Sequence, residues 1–143
     1  MSVDYLLNLY ELYRTAWDSR DWQRFRSTLH PAYVFTVCGE PMGEIAETIG
    51  WSVRLRAAFP DFRQDVRARY PAEHALIVEA VASGTTNGIP PALALPPPPP
   101  GRRLHLPYVK VFRFEDGLIR EDRQYHDTVT FLRQLYPGGG GGA

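Results

Sequence analysis

The chain has 143 residues, 44% of them hydrophobic; that is enough to bury a core without metals or disulfide staples and makes one domain the default. Sixteen basic residues balance sixteen acidic ones, so no net charge draws the chain to nucleic acid or to an anionic membrane. Cys38 is the only cysteine, which excludes an internal disulfide and a multi-cysteine zinc site, and no apolar run approaches the roughly 20 residues that span a bilayer.

Val3, Leu6, Leu7, Tyr10, Tyr13 and Trp17 recur at helical spacing and predict a helix that starts at Ser2 or Asp4 and ends near 18–20. The opening MSVDYLLNLYELYRTAW lacks the basic leader and small-residue cleavage site of a secretory signal, so a cytoplasmic location is expected. A short helix over 21–29 would turn Trp22, Phe25 and Leu29 to one side, and His30-Pro31 would break it. Residues 33–38 (YVFTVC) are β-branched and aromatic and read as a strand. Residues 39–43 read as a turn. A helix over 44–58 follows, with Ile45, Ile49, Val53 and Ala57 inward, and then strands over 62–70 and 75–83.

Residues 88–101 (GIPPALALPPPPPG) form a long loop. Its five consecutive prolines at 96–100 donate no backbone hydrogen bonds and predict a stiff segment of roughly 15 Å, at about 3.1 Å per residue. Strands over 104–114 and 118–125 make a hairpin, and a last helix over 127–135 has Asp127 as its N-cap. The tail 138–143 reads as flexible. Helices followed by a run of strands indicate an α+β fold, a single domain over 1–137.

The hairpin carries the chemistry. A three-residue loop with Gly117 left-handed would set Lys110 opposite Asp122 and Tyr108 opposite Gln124, whereas a two-residue Asp-Gly loop would oppose Lys110 to Arg123. The first register is preferred because it pairs opposite charges. Leu106, Tyr108, Lys110, Phe112, Asp122, Gln124 and His126 then share one face, and Val109, Val111, Ile119, Glu121, Arg123 and Tyr125 the other, which suits a subunit interface or a half-solvated surface. A row of titratable groups on one face is costly to bury unless they satisfy one another or a ligand. No His, Asp or Glu cluster has metal-ligand spacing, so no metal is expected. His30, His74 and His105 read as turn or pre-strand residues, and Cys38 as a small buried group.

Several pieces, in order, resemble the SnoaL-like polyketide cyclases of the nuclear transport factor 2-like superfamily. They are Trp17 with Asp21-Trp22, His30-Pro31-Ala32-Tyr33, Gly43, Ala57-Ala58-Phe59-Pro60-Asp61, Gly84-Thr85, Gly88-Ile89-Pro90-Pro91, Gly101-Arg102-Arg103, Phe112-Arg113-Phe114-Glu115-Asp116-Gly117 with Ile119 and Glu121, and Asp127 with Leu132-Arg133-Gln134-Leu135. The resemblance implies a cone of bent antiparallel sheet packed with helices around a deep, mostly apolar pocket, and a homodimer. It implies ring closure or isomerisation of a polyketide-type intermediate without metal or cofactor. Aligned on Asp116-Gly117, Gln124 stands where the cyclases carry their catalytic Asp, Lys110 where they carry His, and Thr86 where many relatives have His. A neutral amide does not accept and return a proton near pH 7.

The expected catalytic set is therefore Asp122 or His126 for proton transfer, with Tyr108, Lys110 and Gln124 polarising a carbonyl. Trp17, Tyr33, Phe35, Trp51 and Phe112 would line a hydrophobic small-molecule site. The alternatives are a cyclase driven by pocket shape alone and a non-catalytic binding or accessory protein with the proline run as its docking element.

Overall fold

The computed structural model describes residues 1–138. Its elements are α1 (Val3–Ser19), α2 (Trp22–Ser27), β1 (Leu29–Val37), β2 (Glu40–Gly43), α3 (Ile45–Ala58), β3 (Arg63–Ala72), β4 (Ala75–Thr85), β5 (Arg103–Glu115), β6 (Leu118–His126) and α4 (Thr128–Leu135). The six strands form one unclosed sheet in the order β2-β1-β6-β5-β4-β3, and the class is the α+β one expected. The sheet is not wholly antiparallel, because β1 pairs parallel with β6. The chain between those two strands passes through α3 and four further strands, a connection long enough to allow it.

The described residues divide into two compact units, one of 1–49, 68–78 and 109–125, the other of 50–67, 79–108 and 126 onward. The expected glycine tail lies, beyond Gly138, outside the described residues.

In the first unit α1 starts where the Ser2 hydroxyl accepts the Tyr5 N–H at 3.1 Å, satisfying one of the amides that a helix start leaves unpaired. Leu6, Tyr10, Tyr13 and Trp17 form its buried stripe, whereas Val3 is exposed. α2 is capped by the Asp21 carboxylate, which accepts from the Arg24 N–H at 3.1 Å, and it ends at Ser27 rather than at 29. The chain is captured there by β6, since the Ile119 N–H donates to the Thr28 carbonyl at 2.9 Å. β1 therefore begins at Leu29, four residues before the expected strand, and runs through His30-Pro31. Proline is tolerated because the pairing is irregular there: Leu29 lies opposite Ile119, but the next partners are Val34 and Glu121.

The expected turn at 39–43 is instead the short strand β2. It is entered through Cys38 (φ 51°) and Gly39 (φ 85°), a two-residue hairpin turn with both φ values positive. Gly43 has φ +123°, and a Cβ there would stand 2.4 Å from the Cβ of Glu47. Glu47 is held in place, because its carboxylate accepts the Glu44 N–H at 2.8 Å. Gly43→Ala therefore destabilises the protein by more than about 1 kcal/mol in urea unfolding.

The β5–β6 turn is a two-residue Asp116-Gly117 loop with φ 54° and 74°, not the three-residue loop preferred from charge pairing. Both turn residues are pinned. The Tyr5 hydroxyl donates to the Gly117 carbonyl at 2.7 Å, and His30 Nε2 lies 3.2 Å from the Asp116 carboxylate. Lys110 and Asp122 meet all the same. Ile119 and Asp122, three residues apart, are both fully buried, so the side-chain phase of β6 changes by one residue between them. Ile119 thus faces inward, contrary to the face assigned from strict alternation.

In the second unit, α3 buries Ser52, Leu55 and Ala58, while Val53 and Ala57 are exposed, a correction to the expected inward face. The buried stripe continues back to Thr48; its small polar residues hid it from a count of apolar spacing. Thr86 holds both feet of the proline-rich loop. Its N–H donates to the Arg102 carbonyl at 2.9 Å, its carbonyl accepts from the Gly101 N–H at 2.8 Å, and its hydroxyl donates to the Pro99 carbonyl at 2.6 Å. Gln134 of α4 extends the ladder by bonding the N–H and carbonyl of His105 at 2.8 and 2.9 Å.

Candidate functional site

Four elements of the first unit bring polar groups to one point. The inward stripe of α1 carries Tyr13, and the alternation of β1 and β5 turns Tyr33, Phe35, Lys110 and Phe112 inward. The phase change in β6 adds Asp122. Asp122 Oδ2 accepts from Tyr13 Oη at 2.8 Å, Lys110 Nζ at 3.0 Å and Tyr33 Oη at 3.4 Å. Lys110 Nζ also donates to Tyr13 Oη at 3.2 Å. Asp122 Oδ1 is buried and has no hydrogen-bond partner among the described residues.

Aromatic rings close this cluster. Lys110 Nζ lies 5.1, 5.7 and 5.8 Å from the ring centres of Phe35, Phe112 and Tyr13, where each ring face attracts a cation. Phe112 packs on Tyr10 and Tyr13 at 5.3 and 5.2 Å, and Tyr13 on Phe25 at 5.1 Å. The Asp122 side chain has 0% exposure and that of Lys110 has 11%, so both partners are buried. Burial, and then the negative charge of Asp122, hold the Tyr13 and Tyr33 phenols well above their ordinary pKa. A hydrogen bond with Thr48 pulls Tyr33 the other way. Both phenols are therefore donors at neutral pH, not bases.

Of the residues expected from the sequence, Lys110, Asp122, Tyr33, Phe35 and Phe112 come together. Trp17 and Gln124 belong to the same unit. Trp17 is buried on α1, and Gln124 is half-buried on β6, its carbonyl accepting the Cys38 N–H at 2.7 Å. Tyr108 (buried), Trp51 and His126 (both half-buried) belong to the second unit. Tyr13 was missed as a site residue. Its only signal was a phenol in an apolar helical stripe, which reads first as core. Cys38, expected to be buried, is exposed.

The His126 ring lies tilted against Phe131, with ring centres at 6.1 Å, and burial lowers its pKa below the usual 6.5, with Asp127 opposing. Because the folded state binds the proton less readily, the contribution of this group to stability is full above pH 6.5 and is lost as pH falls through the lower folded value. Its imidazole signal in an NMR titration should have a midpoint below 6.5.

A separate concavity of about 900 Å³ lies at the hairpin turn, lined by Tyr5, His74, Arg113, Asp116, Arg120 and Glu121 among others. It includes none of the cluster, and Arg120 within it is paired with Glu115 at 3.1 Å. The groove carries titratable groups of its own, His74, Glu115 and Asp116, all exposed, whereas those of the cluster are buried. Among the described residues no three His, Cys, Asp or Glu side chains lie together as a metal site requires, and no helix is long and apolar enough to cross a membrane.

The family model described as SnoaL-like polyketide cyclase matches residues 7–135. TsrD from Streptomyces laurentii superposes with a TM-score of 0.78 at 23% identity, over 94% of this chain and 97% of that one. An NTF2-like protein from Burkholderia pseudomallei gives 0.75 at 18%, over 94% and 98%. IdmH from Streptomyces antibioticus gives 0.69 at 27%, over 92% and 96%. These likenesses bear out the nuclear transport factor 2-like fold expected from the sequence. No curated protein is significantly similar in sequence.

Proposed function

The chain belongs to the SnoaL-like polyketide cyclase family, and on that premise we propose that it is a cofactor-free cyclase or isomerase acting on a polyketide-type ketone. The observation that carries this reading is the Tyr13–Lys110–Asp122 triangle, with edges of 2.8, 3.0 and 3.2 Å, enclosed by aromatic rings. The Lys110 ammonium and a tyrosine phenol polarise the substrate carbonyl, and Asp122 takes the neighbouring C–H proton on Oδ1, the oxygen without a partner. The enolate closes on a second carbonyl and the proton returns. In a site with little water such donors stabilise a developing oxyanion far better than in bulk solvent. Gln124 orients a further carbonyl, and Trp17, Tyr33, Phe35 and Phe112 are the walls; Tyr108, Trp51 and His126 belong to the second unit.

The test is turnover of a panel of polyketide methyl esters bearing adjacent ketones. Asp122→Asn should lower it by roughly 10²-fold or more, and His126→Ala much less. Full turnover by a folded Asp122→Asn protein would remove Asp122 as proton carrier. The complete burial of Asp122 favours one second reading, in which the ion pair braces a pocket that works by shape. In that case Phe35→Ala or Phe112→Ala lowers turnover more than Asp122→Asn.

We further propose that residues 1–137 act as one domain and pair as a homodimer. The family match spans both compact units, which supports the first statement. Val34, Ile77 and Tyr125 are exposed at 38, 38 and 44%, which supports the second. A single cooperative unfolding transition, and dissociation by Tyr125→Arg in sedimentation, are the corresponding tests.

A further inference from the structure

Lys110 is the only lysine of the chain; the other basic residues, 16 less one, are all arginine. Arginine is thus the side-chain cation at every other basic position. At position 110 the cation is buried among Phe35, Phe112 and Tyr13 and meets a single carboxylate oxygen, a contact that does not use the guanidinium fork. Lysine differs from arginine in one further respect: once it gives up a proton, its amine is a nucleophile. Nζ has the partners such a reaction needs. Asp122 Oδ2 lies 3.0 Å away to take that proton, Tyr13 Oη accepts from Nζ at 3.2 Å while donating to Asp122 Oδ2 at 2.8 Å, and Asp122 Oδ1 has no hydrogen-bond partner among the described residues. Lys110 and Asp122 are both buried, with side-chain exposures of 11% and 0%.

We propose that Lys110 forms a Schiff base with a ketone carbonyl of the substrate, so that ring closure proceeds through a lysine-bound enamine. This rests on the reading of the cluster as the reaction site and changes the part of Lys110 from polarising a carbonyl to bonding with it. The ammonium proton passes to Asp122, the freed lone pair adds to the carbonyl carbon, and one of the two protons left on the nitrogen moves to the carbonyl oxygen. The carbinolamine loses its hydroxyl as water, with a proton from Asp122, and the C=N⁺ bond forms. Asp122 then removes a proton from the adjacent carbon, the C–H electron pair becomes the enamine double bond, and the iminium charge is neutralised. The enamine carbon adds to the second carbonyl, whose oxygen takes the proton from Asp122. Water finally adds to the iminium and releases the ring ketone and the Lys110 ammonium. One water leaves and one enters, and no oxidant or reductant is consumed. The substrate class that suits this route is a ketone whose neighbouring carbon sits beside a second carbonyl.

The test uses pentane-2,4-dione, which condenses with a reactive amine to a stable enaminone that absorbs in the near ultraviolet, followed by peptide mapping by mass spectrometry. The expected result is saturable modification of Lys110, slower in Asp122→Asn and absent in Lys110→Arg, with loss of turnover in Lys110→Arg. Modification confined to the α-amine, while quenching of tryptophan fluorescence reports that the dione binds, would overturn the covalent step. So would full turnover by Lys110→Arg; if Asp122→Asn is then still impaired, the acid–base reading survives, and if it is not, both fall. Should Lys110→Arg not fold, reductive methylation of the native protein replaces it, because a dimethylated amine keeps its charge but does not form a Schiff base. Lost turnover then supports the proposal. Retained turnover, or a Lys110 that formaldehyde does not reach, overturns it.

Discussion

Lys110→Ala or Asp122→Ala alone should destabilise the protein by about 3–5 kcal/mol, because either change leaves the other charge buried without its counter-ion. Asp122 has 0% exposure and collects three donors on one oxygen, so little water can replace a lost partner. Lys110→Met combined with Asp122→Leu should be far less damaging than either single alanine change, since the pair's desolvation penalty disappears with the pair. Urea unfolding of the four proteins measures this directly. A double variant whose loss equals the sum of the two single losses would mean that the groups do not interact.

Phe112→Ala should cost about 3–5 kcal/mol by thermal or urea unfolding, the range for emptying a fully buried aromatic site. Phe112 is 0% exposed and touches Tyr10 and Tyr13 with ring centres at 5.3 and 5.2 Å. Its removal also takes away one of the three rings around Lys110 Nζ. Val53→Ala, at a residue 53% exposed, should change stability by less than about 0.5 kcal/mol. Equal effects at the two positions would show that the aromatic packing carries no particular weight.

Much of this was legible in the sequence where one local rule dominates. The stripe Leu6, Tyr10, Tyr13 and Trp17, the side of Trp22 and Phe25, and the starts at Ser2 and Asp127 indicate α1, α2 and α4 with small errors at their ends, because helical spacing and capping act within a few residues. The Lys110–Asp122 contact was anticipated from charge pairing, yet through the wrong turn. The chain uses the two-residue Asp116-Gly117 turn and recovers the contact by shifting phase between Ile119 and Asp122, and a pattern of alternating residues does not reveal such a shift. β1 was read too short because its start depends on a hydrogen bond between Ile119 and Thr28, which are far apart in sequence. α3 was rotated because its buried stripe runs through Thr48 and Ser52. Tyr13 was hidden for the opposite reason: it sits where an apolar residue is expected, and only the placement of Asp122 beside it reveals a polar role.

The presence of a single lysine allows the central claim, that the Lys110–Asp122 cluster receives the substrate, to be measured at one atom. Protein labelled with ¹⁵N-lysine has one side-chain nitrogen resonance, that of Lys110 Nζ. Titration with a polyketide-type aromatic ketone should move that resonance saturably, with the same midpoint as the ligand's effect on tryptophan fluorescence. A resonance that stays fixed at saturating ligand, while backbone signals around Gly117 shift instead, would contradict the account and move the binding site to the hairpin groove.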